Sequence, residues 1–415
     1  MDLKKEKNDF LIICIWGILL SYLTYVFVLR ELEQEMTDYY GHVFVYLPLF
    51  NKETWGEGWM AVPYCMWHLV TMFFNRILLI PIEISAAYTG CIFTLFSYLV
   101  LYWMFQKITE YAGCRDSSAR SCTIAFGMCL VQPLYFHWLD AGAKYIGTFS
   151  MNPIHNPTYM CARGFGLVCL CLVSDIWGYQ KSKKYRGIFF RVENGLKRYY
   201  IYLSIILFLS AMAKPTFAEM FIPAVAFLML WELLVRLMKK DGSAALYFKH
   251  CLMTFVCALP TLLYILMQFL AYFIWGGSYG DGGSLIVTHW LEVWRMFTQN
   301  VGLSIVLAMA FPLFMVLINV NYFVKSDLGR LALMGYGIGF FEAALLGEAG
   351  GKMDHADFMW PMMSGMLLMY VVSMMRLLIL ERTQADTRGK RILLAIGWFL
   401  FVIHVLYGIL YIMQM

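Results

Sequence analysis

Apolar runs of bilayer-spanning length follow one another along this chain, and its lysines and arginines fill every second gap between them. A helix needs about 20 apolar residues to cross the roughly 30 Å hydrocarbon core. Runs of that kind lie near residues 10–29, 82–106, 121–139, 159–178, 199–213, 216–237, 250–275, 301–323, 331–346, 359–378 and 392–412, which predicts eleven spans. The gaps 1–9, 107–120, 179–198, 238–249, 324–330 and 379–391, counted with the residues at the span ends, hold 24 of the 32 lysines and arginines. Cytoplasmic loops carry such an excess. The pattern predicts a multi-pass protein of the plasma membrane with a cytoplasmic N-terminus and an extracytoplasmic C-terminus.

Composition agrees. The chain is 61% hydrophobic and 14% charged, against about 45–50% and 25% for a soluble domain. One polytopic domain over 1–415 is expected, with no soluble domain. The net charge of +5 comes from the basic loops, so it reflects insertion and not nucleic-acid binding. Lys4, Lys5 and Lys7 precede an apolar stretch too long for a cleaved signal, and no A-x-A-like site follows. The eleven cysteines are scattered through apolar runs without metal-binding spacing and read as small buried fillers. The basic run 181–198 reads as a topology determinant facing the inner leaflet.

Residues 60–80, MAVPYCMWHLVTMFFNRILLI, are apolar enough for a span. A span there would put the sevenfold-basic loop 179–198 on the outer side, so the segment is expected to lie in the outer interface, with Trp55, Trp59, Trp67 and His68 suited to that position. The first outer loop then runs over 30–81, about fifty residues, a length that usually carries function. The further outer loops are 140–158, 275–300 and 347–361.

Those loops hold the polar residues that insertion does not require. Asp38 and His42 are four apart, on one face of a helix, and a carboxylate just outside the first span can act as a general base. Asp140 to Pro157 carries Lys144 and two Asn-Pro turns that flank His155. Asn156 or Thr158 is placed to cap the next helix, with Arg163 a turn inside it. Lys214 precedes Pro215 at a helix start, an arrangement that favours anions such as phosphate. The Gly-rich SYGDGG reads as a lid, with Asp281, His289, Trp290 and Arg295 as candidate substrate contacts. GEAGGKMDHADFMWP, 347–361, packs Glu348, Lys352, Asp354, His355, Asp357 and Trp360 between two apolar spans. Lys352 offers a point charge for phosphate. Alternatively Asp354, His355 and Asp357 offer ligands for a hard cation such as Mg²⁺ or Mn²⁺.

Together, D-x-x-x-H at Asp38–His42, the PYCMWH stretch, HNPT at 155–158 and E-x-G-x-K-x-x-H-x-x-F-x-W from Glu348 to Trp360 resemble multi-span bacterial proteins of the GT-C superfamily of membrane glycosyltransferases. The chain departs from them at Lys352, where they carry arginine, and at Ala356-Asp357, where they carry Gly-Asn. The resemblance implies an all-α membrane bundle with a long first extracytoplasmic loop bearing interfacial helices. It implies sugar transfer from a polyprenyl-phosphate donor to a glycan, lipid or protein acceptor of the cell envelope. By it Asp38 is the base, and Lys352 with Arg163 or Lys214 holds the lipid phosphate. His42, His155, Asn156, Glu348, His355, Asp357 and Trp360 contact acceptor or donor. Members differ in needing a divalent cation; if one binds here, Asp38, Asp354 and His355 are its candidate ligands. Two other readings stand beside this one: a transporter or flippase, which requires mid-span charges and inverted repeats, and an envelope polysaccharide polymerase or ligase.

Overall fold

The computed structural model describes all residues except 1, 2, 52, 115, 137–148, 183, 184, 186, 193, 194, 241, 275–284, 350–352, 385, 386 and 415. The described residues are mostly helical. In order, the principal helices are α1 (Leu3–Leu32), α2 (Trp55–Ala61), α3 (Met66–Met72), α4 (Ile82–Tyr111), α5 (Ser118–Leu130), α6 (Pro157–Lys181), α7 (Lys197–Ala213), α8 (Thr216–Lys239), α9 (Ala244–Phe269), α10 (Val301–Ile318), α11 (Asp327–Leu345), α12 (Trp360–Thr383) and α13 (Arg388–Gln414). Among the described residues a two-stranded antiparallel sheet, β1 (Leu285–Val287) with β2 (Leu346–Glu348), pairs Leu285 with Glu348. Nothing in the apolar patterning announced it.

Among the described residues nine helices are long and apolar enough to cross a membrane: α1 from Asp9, α4, α6, α8, α9, α10, α11, α12 with the turn before it, and α13. The helices at the other two expected spans fall below that length. Helix α7 has 17 residues, about 26 Å at 1.5 Å per residue. Helix α5 has 13, about 20 Å, and stops at Leu130 where 121–139 was expected to continue. Beyond it Val131–Phe136 carries no helix. Its backbone is satisfied inside the protein. Gln132 N–H donates to His404 O at 3.1 Å and Leu134 N–H to Leu307 O at 3.0 Å. The Asn152 side chain donates to Met128 O and Val131 O, both at 2.8 Å. Irregular backbone is tolerated at such depth only when buried in protein.

This break needs Gly408. A β-carbon there would lie 1.6 Å from Leu130 O, whereas one at Gly337 meets nothing within 4 Å. Gly408→Ala is therefore expected to destabilise by about 1–3 kcal/mol, the usual cost of overpacking. Gly337→Ala should be neutral or stabilising by up to about 1 kcal/mol. Thermal unfolding in detergent checks the contrast; equal melting of the two variants would contradict the packing.

Residues 60–80 hold no helix of spanning length. They contain the end of α2, a break at Val62–Cys65, α3, and a π turn over Phe73–Ile77. Trp55 is exposed, but Trp67 and His68 are fully buried. That corrects their expected interfacial place: α3 turns these two rings into the core against α4, α6 and α7.

The helix ends sort the charges. At one end Arg382 and Arg120 reach Asp116 at 2.9 and 3.4 Å, and Lys181 and Arg330 reach Asp327 at 2.5 and 2.7 Å. The basic loop is folded there around Asp175, which accepts the N–H groups of Ile188, Phe189 and Phe190 and the Tyr185 hydroxyl. The opposite end carries Asp38, the α6 N-terminus, the α7–α8 junction and β2.

Candidate functional site

The α7–α8 junction sets the centre of the site. Pro215 cannot continue a helix, and the residue before a proline is pushed to extended backbone; Lys214 has φ −164° and ψ 132°. Its side chain turns inward and is 6% exposed. Nζ donates to Asn156 Oδ1 at 3.2 Å and stands 4.1 Å from the Trp360 ring centroid and 5.6 Å from that of Tyr64. Burial lowers the Lys214 pKa, while Asp357, Asp38 and Glu219 act to raise it.

Asn156 caps α6, accepting the Tyr159 N–H at 2.9 Å through Oδ1, as the HNPT spacing predicts. Its Nδ2 donates to Asp38 Oδ2 at 2.8 Å. His155 Nε2 lies 3.8 Å from the same oxygen. Burial lowers the His155 pKa, with Asp38 opposing and Lys214 adding to the effect. Asp38 begins a single helical turn, Asp38–Tyr40, capped by Thr37. Its side chain is 41% exposed, and among the described residues no hydrogen bond reaches its Oδ1.

His42 is not at the site. The turn after Tyr40 loosens into a π helix, Gly41–Tyr46, and the His42 ring meets His68, Nδ1 to Nε2, at 3.1 Å in the core. Burial pushes His68 to about 3. It also holds His42 well below its usual value, with His68 and Lys214 adding to that. Both rings are thus neutral at neutral pH, and one donates to the other. The dyad ties the Asp38 segment to α3.

On the other side of Lys214, Trp360 opens α12, and its Nε1 donates to Asp357 Oδ1 at 3.2 Å. A cleft of about 220 Å³ lies here, lined among others by Tyr64, Lys214, Glu219, Glu348, Asp357 and Trp360. The two polar stretches far apart in sequence, Asp38 and Glu348–Trp360, are therefore joined through Asn156 and Lys214. Ala356 sits at φ 54°, ψ 36°, a left-handed conformation in which a β-carbon costs roughly 1–2 kcal/mol. The glycine that the resemblance places there would relieve it. Ala356→Gly should raise stability by up to about 1 kcal/mol; a lowered melting temperature would contradict the strain.

Other expected residues lie elsewhere. Arg163 is buried in α6, Nη1 at 3.5 Å from Met160 Sδ, with Nε and Nη2 unbonded among the described residues; it does not line the cleft. His355, His289, Trp290 and Arg295 are exposed and do not line the cleft. Lys352, Asp140, Lys144, Asp281 and the SYGDGG segment lie outside the described residues, as does the Asp354 side chain. Among the described residues no group of three His, Cys, Asp or Glu side chains is arranged to hold a metal ion.

Glu219, Tyr64 and Gln268 also line the cleft, and none was singled out as a site residue from the sequence. Glu219 had a signal, since a carboxylate one turn inside an apolar helix is costly and functional by default. Tyr64 had only its place in the PYCMWH stretch, and Gln268 had none. They reach the cleft through contacts distant in sequence: Gln268 Nε2 donates to Pro63 O and Ala211 O, each at 3.3 Å. Farther along α8 and α9 from the cleft, an apolar groove of about 250 Å³ runs between α7, α8 and α9, lined by Leu203, Leu207, Phe221, Val225, Met229 and Phe255 among others. Phe221 begins it, half a turn after Glu219.

No protein-family model, curated protein or solved structure matches the chain.

Proposed function

We propose that the cleft transfers a sugar from a polyprenyl-phosphate carrier to an acceptor hydroxyl at the extracytoplasmic face of the membrane. One observation carries the reading: a carboxylate with a free oxygen and a buried ammonium are held apart by one amide, beside an aromatic ring and along α8 and α9 from an apolar groove. A lipid-linked sugar has the matching parts. Its phosphate suits Lys214, its sugar suits Trp360, Glu348 and Asp357, and its hydrocarbon chain suits the groove between α8 and α9.

In the proposed step Asp38 Oδ1 takes the proton of the acceptor hydroxyl. The freed oxygen bonds to the anomeric carbon, and the bond from that carbon to the phosphate oxygen breaks. The electron pair leaves on the phosphate, where Lys214 meets the developing charge. A preorganised cation in a water-poor site stabilises such charge far better than water does. His155 orients the acceptor beside Asp38. The acceptor is a glycan, lipid or protein of the cell envelope. With α5 and α7 counted, the chain passes eleven times, the N-terminus and the basic end are cytoplasmic, and the cleft and C-terminus face outward, as the charge asymmetry supports.

The test is a donor screen. Purified protein in detergent, incubated with a panel of polyprenyl-phosphate sugars and short-chain hydroxyl acceptors, should release sugar from at least one lipid. An arm with EDTA reads whether a divalent cation takes part. Intact donors across the whole panel would count against the proposal.

A further inference from the structure

Asn156 makes more contacts than a helix cap requires. Its Oδ1 receives three donors, the Tyr159 N–H at 2.9 Å, the Thr158 hydroxyl at 3.0 Å and Lys214 Nζ at 3.2 Å. An amide oxygen so occupied cannot exchange places with its own NH2, which would aim two donors at an ammonium and a backbone N–H. The orientation of Nδ2 is thereby fixed, and Nδ2 points at Asp38 Oδ2, 2.8 Å away. The residue is 4% exposed, so its amide is shielded from water.

The consequence concerns what Asp38 and Lys214 do not do. A carboxylate and an ammonium this near would ordinarily close into an ion pair, leaving the lysine charge committed to Asp38 and the carboxylate less able to take a proton. We propose that Asn156 is the positioning residue of the site, an amide spacer that holds Asp38 and Lys214 apart and keeps one aimed at the acceptor and the other at the phosphate. This rests on the transfer reading for its purpose, but its geometry can be tested without any substrate. The neighbours that also face the pair are His155 at 3.8 Å from Asp38, Glu31 on α1, on which the Asp38 charge acts, and Asp357 and Glu219, whose charges act on Lys214.

Asn156→Asp separates positioning from capping. Aspartate caps a helix as well as asparagine, so a residue that only caps would leave both melting and transfer unchanged. As a spacer, the substitution sets carboxylate against carboxylate. The melting temperature should fall, and transfer should fall roughly 100-fold, the scale of a misdirected general base. The exchange variant Asp38→Asn/Asn156→Asp makes the two groups complementary again. It should melt like wild type while transfer stays lost, because the carboxylate now sits at the wrong end of the bridge. Wild-type melting of Asn156→Asp, or an exchange variant no more stable than the single one, would overturn the proposal. If Asn156→Asp does not fold, recovery of a folded exchange variant decides. A wild-type protein that turns over no donor would sink the transfer reading, and the melting comparison would still judge the spacer.

Discussion

Asp38→Asn is expected to lower sugar transfer by about 10²–10⁴-fold, the usual contribution of a general base, and to leave the folded state intact. The substitution is nearly isosteric. Asn156 Nδ2, now 2.8 Å from Asp38 Oδ2, would find the side-chain oxygen of the new amide in its place. What is lost is the capacity to take a proton. Michaelis constants for donor and acceptor should therefore change far less than kcat. A variant with full activity would remove Asp38 from the chemistry. One that fails to fold would mean that the carboxylate serves the structure, against its half-exposed position outside the first span.

Lys214→Met should produce the second large loss, roughly 10²–10³-fold in kcat, comparable with removal of one preorganised transition-state donor. Methionine keeps the apolar stem between Tyr64 and Trp360 and deletes only the ammonium. The expected effect on stability has the opposite sign. Burial lowers the Lys214 pKa, which means that the charged form is costly in the fold. Its removal leaves Asn156 Oδ1 with two other donors. The variant should melt at or above the wild-type temperature while transferring poorly. A variant that melts lower and keeps its kcat would make Lys214 a structural cation.

Much of this was legible in the sequence because membrane insertion leaves a coarse record. Nine of the expected spans correspond to described helices long and apolar enough to cross a membrane, since a bilayer imposes both length and apolarity. The failures have local causes. The run 121–139 reads as a uniform span, yet α5 stops at Leu130 because Asn152, His404 and Gly408 accommodate an extended strand of chain. No window of hydropathy records partners that come from 20 to 280 residues away. Trp67 and His68 look interfacial by composition, and their burial rests on partners distant in sequence, the His42 ring 26 residues before His68 and the helices α4, α6 and α7.

The site followed the same division. Asp38, His155, Asn156, Lys214, Glu348, Asp357 and Trp360 were visible as polar residues that insertion does not need, and the structure gathers them. His42 was drawn away by its dyad. Arg163 is enclosed by the core, and the exposed His355 points to no shared cleft. The amide bridge itself was invisible, because Asn156 as a cap and Lys214 as a loop cation each had a sufficient local reason to exist.

The central claim is covalent chemistry at the cleft, and the carrier lipid reports it most directly. Proteoliposomes containing wild-type protein, a polyprenyl-phosphate sugar and an acceptor should yield free polyprenyl phosphate in a one-to-one ratio with glycosylated acceptor, measured by mass spectrometry. Asp38→Asn and Lys214→Met should yield neither. Movement of the sugar lipid across the vesicle membrane with its sugar–phosphate bond intact would contradict the account and leave a transporter in its place.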